Sequence, residues 1–269
     1  MDLGLRDRVY LVTGGSRGLG FAAAQALVAE GARVILSGPH ETTAAAATRR
    51  LMEVSANGAA WIAADNADPD TPGRLIAGAR ERYGRLDGAL ISVGGSPVGT
   101  VATTTDDAWR SAFESVFLGA VRLARALASD LGAEHSDGAG GASRTGTGGS
   151  IVFVLASSVR EPLAGLAISN GLFPGLAGVV KTLAVEHGPS GIRVNGLLPV
   201  RVATDRVREV DALSGDPDEV RARLSQNIPL RRYGEPEEFG QAAAFLLSPA
   251  ASYITGAMIP VDGGAIRSI

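Results

Sequence analysis

The chain has 269 residues, enough for one sizeable core, with 25 Lys and Arg against 28 Asp and Glu and a formal net charge of −3. That balance, with no long basic run, argues against nucleic acid as a partner. The absence of cysteine excludes disulfides and thiolate metal sites, and His40, His135 and His187 are too scattered for a ligand motif, so no metal is expected.

Strand-like and helix-like segments alternate along the chain. Val9 to Val12 is apolar and precedes an alanine-rich helical stretch, Phe21 to Glu30. Arg33 to Leu36 then leads to the helical Glu41 to Ser55, and Ala59 to Ala64 to the helical Thr71 to Tyr83. Gly88 to Ile91 is followed by one long helical stretch, Asp106 to Leu131. Ser150 to Leu155 is followed by a helix from about Ser169 to Glu186, and Ile192 to Asn195 reads as a late strand. Near-continuous apolar strands separated by helices imply a parallel sheet covered on both faces. Right-handed crossovers make this an α/β, doubly wound sheet of the Rossmann type. The expected organisation is a single domain over residues 1–269, interrupted at about 132–149 by a flexible insertion. That segment is rich in Gly, Ser and Thr and carries no periodic apolar face. No apolar stretch is read as long enough to span a membrane, and the first residues hold no signal core. The expectation is a cytoplasmic protein with no membrane partner.

The first strand–helix junction reads Val12-Thr13-Gly14-Gly15-Ser16-Arg17-Gly18-Leu19-Gly20. A strand, a glycine turn and a helix in that order are the context of a dinucleotide fingerprint. Gly14 serves the tight turn, Gly18 lets backbone approach a pyrophosphate, and Gly20 allows close helix–strand packing. The N–H groups at the helix start then face the phosphates. After the second strand the chain runs Leu36-Ser37-Gly38-Pro39-His40, with no carboxylate to hold a ribose 2′-hydroxyl. Arg17 sits in the turn, where a guanidinium can pair with a 2′-phosphate. NADP is therefore favoured over NAD.

Further motifs resemble the short-chain dehydrogenase/reductase family over nearly the whole chain. They are Thr13-Gly14-x-x-x-Gly18-x-Gly20, Asp65 after the third strand, and Ser92-Val93-Gly94-Gly95 where the family usually has Asn-Asn-Ala-Gly. Gly191-Ile192-Arg193-Val194-Asn195, Pro199 and Thr204 continue the match, as do Pro236-Glu237-Glu238 and Val261-Asp262-Gly263-Gly264. The resemblance implies a cofactor site formed by Gly14, Ser16, Arg17, Gly18, Leu19, Gly20, Ser37, Asp65, Asn66, Gly94, Pro199 and Thr204. It implies a small-molecule substrate and a homodimer or homotetramer. The helix from Ser169 would pack on a symmetry mate through Gly175, Ala177 and Gly178.

The family transfers hydride with an Asn, Ser, Tyr and Lys set, because a developing alkoxide needs a proton donor within hydrogen-bond reach. Ser158 matches the serine. The positions of the tyrosine and lysine hold Ser169 and Phe173, and the asparagine position holds Val116. No tyrosine lies between Tyr83 and Tyr233, and the only lysine, Lys181, is about 12 Å farther along the helix than Phe173. The pattern is similar to a divergent branch resembling 3-oxoacyl-ACP reductases that lacks Tyr-x-x-x-Lys. In that branch Ser-Asn stands near the lost tyrosine, as Ser169-Asn170 does here, and Arg-Glu-Pro follows the serine, as Arg160-Glu161-Pro162 does. The branch often has a basic residue where Phe173 stands. The catalytic candidates are Ser158, Ser169 and Asn170, with Arg160 and Arg201 as cations near the site mouth. Residues Arg201 to Gln226 match the substrate loop and read as a mobile cover.

Three functions are compatible with this pattern. One is an NADP-dependent oxidoreductase acting on a carbonyl or hydroxyl through a rebuilt acid site of Ser158, water and an arginine. Another is a catalytically silent nucleotide-binding or structural member. The third is a lyase, isomerase or cyclase that reuses the pocket.

Overall fold

The computed structural model describes residues 2–95, 97–136 and 148–268. Its strands are β1 (Val9–Thr13), β2 (Arg33–Gly38), β3 (Ala59–Ala63), β4 (Gly88–Ser92), β5 (Ser150–Val154), β6 (Arg193–Pro199) and β7 (Met258–Val261). They form one parallel sheet in the order β3-β2-β1-β4-β5-β6-β7. The order reverses between β1 and β4, which opens a crevice beyond their carboxyl ends.

Helices α1 (Gly18–Ala29), α2 (Glu41–Val54) and α9 (Pro236–Leu247) cover one face; α3 (Thr71–Tyr83), α5 (Gly119–Ser136) and α6 (Ala167–His187) cover the other. Strand alternation divides the core accordingly. Val9 and Leu11 pack on the α3–α5–α6 side, Tyr10 and Val12 on the α1–α9 side. Gly240 lets α9 lie directly on α1, since a Cβ there would sit 2.4 Å from the Ala22 carbonyl oxygen. The buried Arg193 guanidinium donates to the carbonyls of Leu246 and Ser248 at 2.9 Å, satisfying orphan acceptors at the end of α9.

One helix is less regular than its sequence reads, and two expectations need correction. The helical stretch read from Asp106 runs without a gap to Ser136 but is not α-helical throughout. A short α4 (Asp106–Ala112) runs into a π-helical segment, Phe113–Leu118, before α5 begins. Thr105 starts α4 as an N-cap, its Oγ1 accepting from the Ala108 N–H at 3.2 Å. Next, α5 continues to Ser136, so residues 132–136 belong to a helix. The rest of the proposed flexible insertion, residues 137–147, lies outside the described residues. Finally, Ala167–Ser190 is long and apolar enough to cross a membrane, with a mean hydropathy of 1.3. Half of that window is buried, and Leu176 and Val180 have no exposed surface. This apolarity belongs to a core helix packed between sheet and neighbours.

Two more helices, α7 (Asp205–Ala212) and α8 (Pro217–Ser225), follow β6. Thr204 caps α7, its Oγ1 accepting from the Val207 N–H at 3.3 Å. Asp216 caps α8 by accepting from the N–H groups of Asp218 and Glu219. The cover expected over Arg201 to Gln226 is thus a capped helical pair.

Candidate active site

The glycine turn lies at the β1–β4 crevice, held from both sides. Thr13 Oγ1 donates to the Ser92 carbonyl at 2.9 Å and accepts from the Ser92 N–H at 2.9 Å, locking the ends of β1 and β4 together. The Gly15 N–H donates to the Ser37 carbonyl at 3.2 Å, which brings in the end of β2. Gly14 has φ 59° and Gly18 φ 55°, angles that favour glycine. At Gly20 a Cβ would stand 2.4 Å from the Gly14 carbonyl oxygen, so any side chain there would break the turn.

The other cofactor candidates stand at the carboxyl ends of β2 and β6 and on the loops after β3, β4 and β6. Ser37 is buried and its Oγ has no hydrogen-bond partner. Gly38, the last residue of β2, offers no side chain; a Cβ there would lie 3.7 Å from Ser16 Oγ. Gly94 is exposed with φ 80°, and nothing approaches within 4 Å of where its Cβ would be. Asp65 is exposed after β3, its Oδ1 accepting from the Ala67 N–H at 2.9 Å. The Asn66 carbonyl packs against Gly119 at the start of α5, where a Cβ would come within 2.3 Å of it. On the opposite lip, Pro199 ends β6 and Thr204 comes within 3.7 Å of the Cβ position of Gly18. A cradle that any Cβ would fill, an open glycine lip and an unpartnered buried hydroxyl at the β2 end fit a dinucleotide.

The positions where the chemistry is expected are different. Val116, Ser158, Ser169 and Phe173 are 4%, 3%, 5% and 5% exposed, so all four are packed away. Val116 lies in the π-helical segment and joins Phe173 in the α3–α5–α6 core. Ser158 Oγ donates to the Ser169 carbonyl at a long 3.4 Å. Asn170 is engaged elsewhere. Its Nδ2 donates to the Leu163 carbonyl at 2.8 Å and its Oδ1 accepts from the Leu163 N–H at 2.9 Å. Both ends of the amide therefore pin the loop before α6. Next to it, Gly171 makes room for Trp109, whose ring would lie 2.8 Å from a Cβ at 171. Pro174 lies inside α6 and has no N–H to give to the Asn170 carbonyl.

The two candidate cations also find partners. Arg160 is exposed and donates to the Met258 carbonyl at 3.4 Å. Arg201, with φ 51°, pairs with the buried Asp211 at 2.5 Å, and Tyr233 Oη donates to the other Asp211 oxygen at 2.9 Å. Burial and the Asp211 carboxylate push the Tyr233 phenol up to about 12. The guanidiniums of Arg201 and Arg221 lie 5.9 and 5.3 Å from the Tyr233 ring centroid. This cluster anchors the end of α7. The sequence reading missed it because Asp211 and Tyr233 are 22 residues apart and neither belongs to a motif.

Two concavities lie among the segments that follow β6 and end β7. One of about 290 Å³ is lined by Val200, Val202, Leu230, Arg232, Glu238 and Asp262; the other, about 180 Å³, by Thr204, Arg208, Asp211, Pro217, Arg221 and Tyr233. Neither is lined by Ser158, Ser169 or Asn170. Among the described residues no cluster of His, Asp and Glu could hold a metal ion.

Comparison with known proteins gives this fold and groove a lineage. Residues 14–265 match the family model described as enoyl-(acyl carrier protein) reductase. The chain is 33% identical to the L-rhamnose 1-dehydrogenase (NAD(P)(+)) of Azotobacter vinelandii, over 97% of each protein. It is 32% identical to an uncharacterized oxidoreductase of Mycobacterium tuberculosis, over 97% of this chain and 92% of that one. Among solved structures, the L-sorbose reductase of Gluconobacter frateurii, complexed with NADPH and L-sorbose, superposes with a TM-score of 0.89 at 28% identity, covering all of both chains. The seven-stranded sheet, the glycine turn and these matches along nearly the whole sequence place the chain in the short-chain dehydrogenase/reductase family of oxidoreductases.

Proposed function

We propose that the chain is an NADP-preferring oxidoreductase acting on a small carbonyl or hydroxyl compound through a non-standard site. The observation that carries this reading is the groove: the glycine turn, the bare β2 end at Gly38 and the exposed Arg17 stand together. Gly14, Ser16, Gly18, Leu19 and Gly20 would hold the diphosphate by backbone. Ser37 and Arg17 would meet the 2′-phosphate, Asp65 and Asn66 the adenine side, and Gly94, Pro199 and Thr204 the nicotinamide half. The bound nicotinamide would supply the hydride. The L-sorbose reductase neighbour binds NADPH, which supports the same choice here.

In this reading the Ser158 hydroxyl orients the substrate oxygen, with a water molecule delivering the proton and an arginine of the cover stabilising charge. Ser169 contributes its carbonyl, which fixes the Ser158 hydroxyl. Asn170 acts as a positioning residue through Leu163 rather than as a catalytic one. The protein is read as a cytoplasmic homodimer or homotetramer. Gly175 already faces Phe117 of its own chain, a Cβ there lying 2.8 Å from the ring, and Ala177 is buried, which leaves Gly178 as the open small residue on α6.

A second reading has its own support. The burial of Val116, Ser158, Ser169 and Phe173 is what a nucleotide-binding member without turnover would show. Titration with NADPH and NADH, followed by steady-state oxidation of NADPH with a panel of ketones and sugars, decides between them. NADPH is expected to bind more tightly than NADH, by about tenfold, with Arg17→Ala removing only that difference. Turnover abolished by Ser158→Ala establishes the oxidoreductase reading. Tight NADPH binding without turnover on any carbonyl favours the silent reading or non-redox chemistry that reuses the pocket.

A further inference from the structure

The groove has a roof, and its charges converge on one carboxylate. The first turn of α7 crosses from one lip to the other. Thr204 touches the glycine turn at Gly18, and the Arg206 side chain lies against the β4 loop, its Nε 2.9 Å from where a Cβ on Gly95 would be. Between the lips stands Glu209. Arg17 Nη1 approaches its Oε1 at 3.8 Å and Arg206 Nη1 its Oε2 at 3.6 Å. Thus a cation from the glycine turn and a cation from the roof face one internal anion. They do so beside the α1 N-terminus, where backbone N–H groups favour negative charge.

We infer that Glu209 is a built-in counter-ion at the place of the cofactor's phosphates, and that Arg206 is a diphosphate-binding residue supplied by the roof helix. The inference rests on the cofactor reading given above. The pairs to Glu209 are longer than hydrogen bonds, and the Arg17, Glu209 and Arg206 side chains are 68%, 53% and 44% exposed. Such ion pairs are weak. A phosphate presents more acceptor oxygens and takes charge-assisted, bidentate hydrogen bonds from guanidinium, so it displaces the carboxylate. The far end of α7 is anchored by the Arg201–Asp211–Tyr233 cluster.

The two residues have opposite expected effects on binding. Fluorescence titrations of the full chain with NADPH and with NADH would compare the native protein, Arg206→Gln, Glu209→Gln and Arg17→Gln, with melting temperatures measured in parallel. Arg206→Gln is expected to weaken both cofactors by about tenfold or more, because both carry the diphosphate. Glu209→Gln is expected to tighten both by about two- to fivefold at low salt, an effect that fades as salt screens the arginines. Arg17→Gln is expected to weaken NADPH more than NADH. Unchanged affinity in both Arg206→Gln and Glu209→Gln, at unchanged melting temperature, overturns the inference while leaving the cofactor reading intact. Weaker binding by Glu209→Gln also overturns it. A native chain that binds neither cofactor overturns the cofactor reading itself.

Discussion

The nucleotide half and the catalytic half of this protein are built from different materials. At the β1–β4 crevice the groups proposed to hold the cofactor are backbone N–H groups, glycines with positive φ and one unpartnered buried hydroxyl. Where α4, β5 and α6 meet, the family relies on side chains, and here those positions are Val116, Ser158, Ser169 and Phe173, all buried. A backbone site is lost only when its geometry is lost, and that geometry also packs the first helix on the sheet. A side-chain site can be emptied one residue at a time while the fold persists. At two of these positions, Val116 and Phe173, hydrophobic side chains join the core.

The sharpest way to break the contrast is to restore the missing side chains. The double change Ser169→Tyr with Phe173→Lys puts a phenol and an ammonium into positions that are each 5% exposed. Removal of a core aromatic costs about 3–5 kcal/mol, and burial of an unpaired charge adds to that. Denaturant unfolding is therefore expected to show a large loss of stability, partly recovered by NADPH if ribose hydroxyls receive the lysine. If the double variant is as stable as the native chain, this region is not the closed core described here. Faster ketone reduction by a folded double variant shows that the missing proton relay limits the native protein.

A smaller change tests the other half. Gly20→Ala places a methyl group 2.4 Å from the Gly14 carbonyl oxygen. Overpacking of this kind costs about 1–3 kcal/mol, and cofactor affinity is expected to collapse because the turn must shift. Native-like NADPH binding by Gly20→Ala would show that the diphosphate does not depend on this backbone cradle.

The smallest effect concerns the roof anchor. Tyr233 titrates at about 12 in the fold against 10.0 ordinarily. A raised acid pKa means that its contribution is complete below pH 10 and is lost as pH rises towards 12, because the unfolded chain releases its proton first. Tyr233→Phe is expected to flatten that part of the stability–pH profile and to leave the profile at neutral pH similar in shape. An unchanged alkaline limb would mean that burial and the Asp211 contact do not raise the Tyr233 phenol.

Much of the architecture was legible because it is written in local periodicity. The apolar runs at Val9, Arg33, Gly88 and Ser150 each became a strand, and Thr71 to Tyr83 became a helix with the expected bounds. Parallel strands buried on both faces leave a nearly uninterrupted apolar signature. The glycine turn was legible for a related reason, since strand, turn and helix are contiguous and the angles required at Gly14 and Gly18 favour glycine. The departures from the catalytic pattern could likewise be read by position.

Tertiary structure alone decided what the remaining residues do. Asn170 resembled a catalytic group, but its amide spans both polar groups of Leu163, a contact that exists only once the loop before α6 has closed. Arg201 resembled a free cation at the site mouth, yet it pairs with Asp211. Glu209 and Arg206 looked like two more charges on a solvated helix until α7 was laid across the groove and set them beside Arg17 and Gly95. The π-helical segment at Phe113–Leu118 changes the pitch inside a helix that periodicity reads simply as helical. Short-range patterns carry the identity of elements and turns. The partners of a charged or amide side chain are set by residues distant in sequence, and only the assembled layers bring those together.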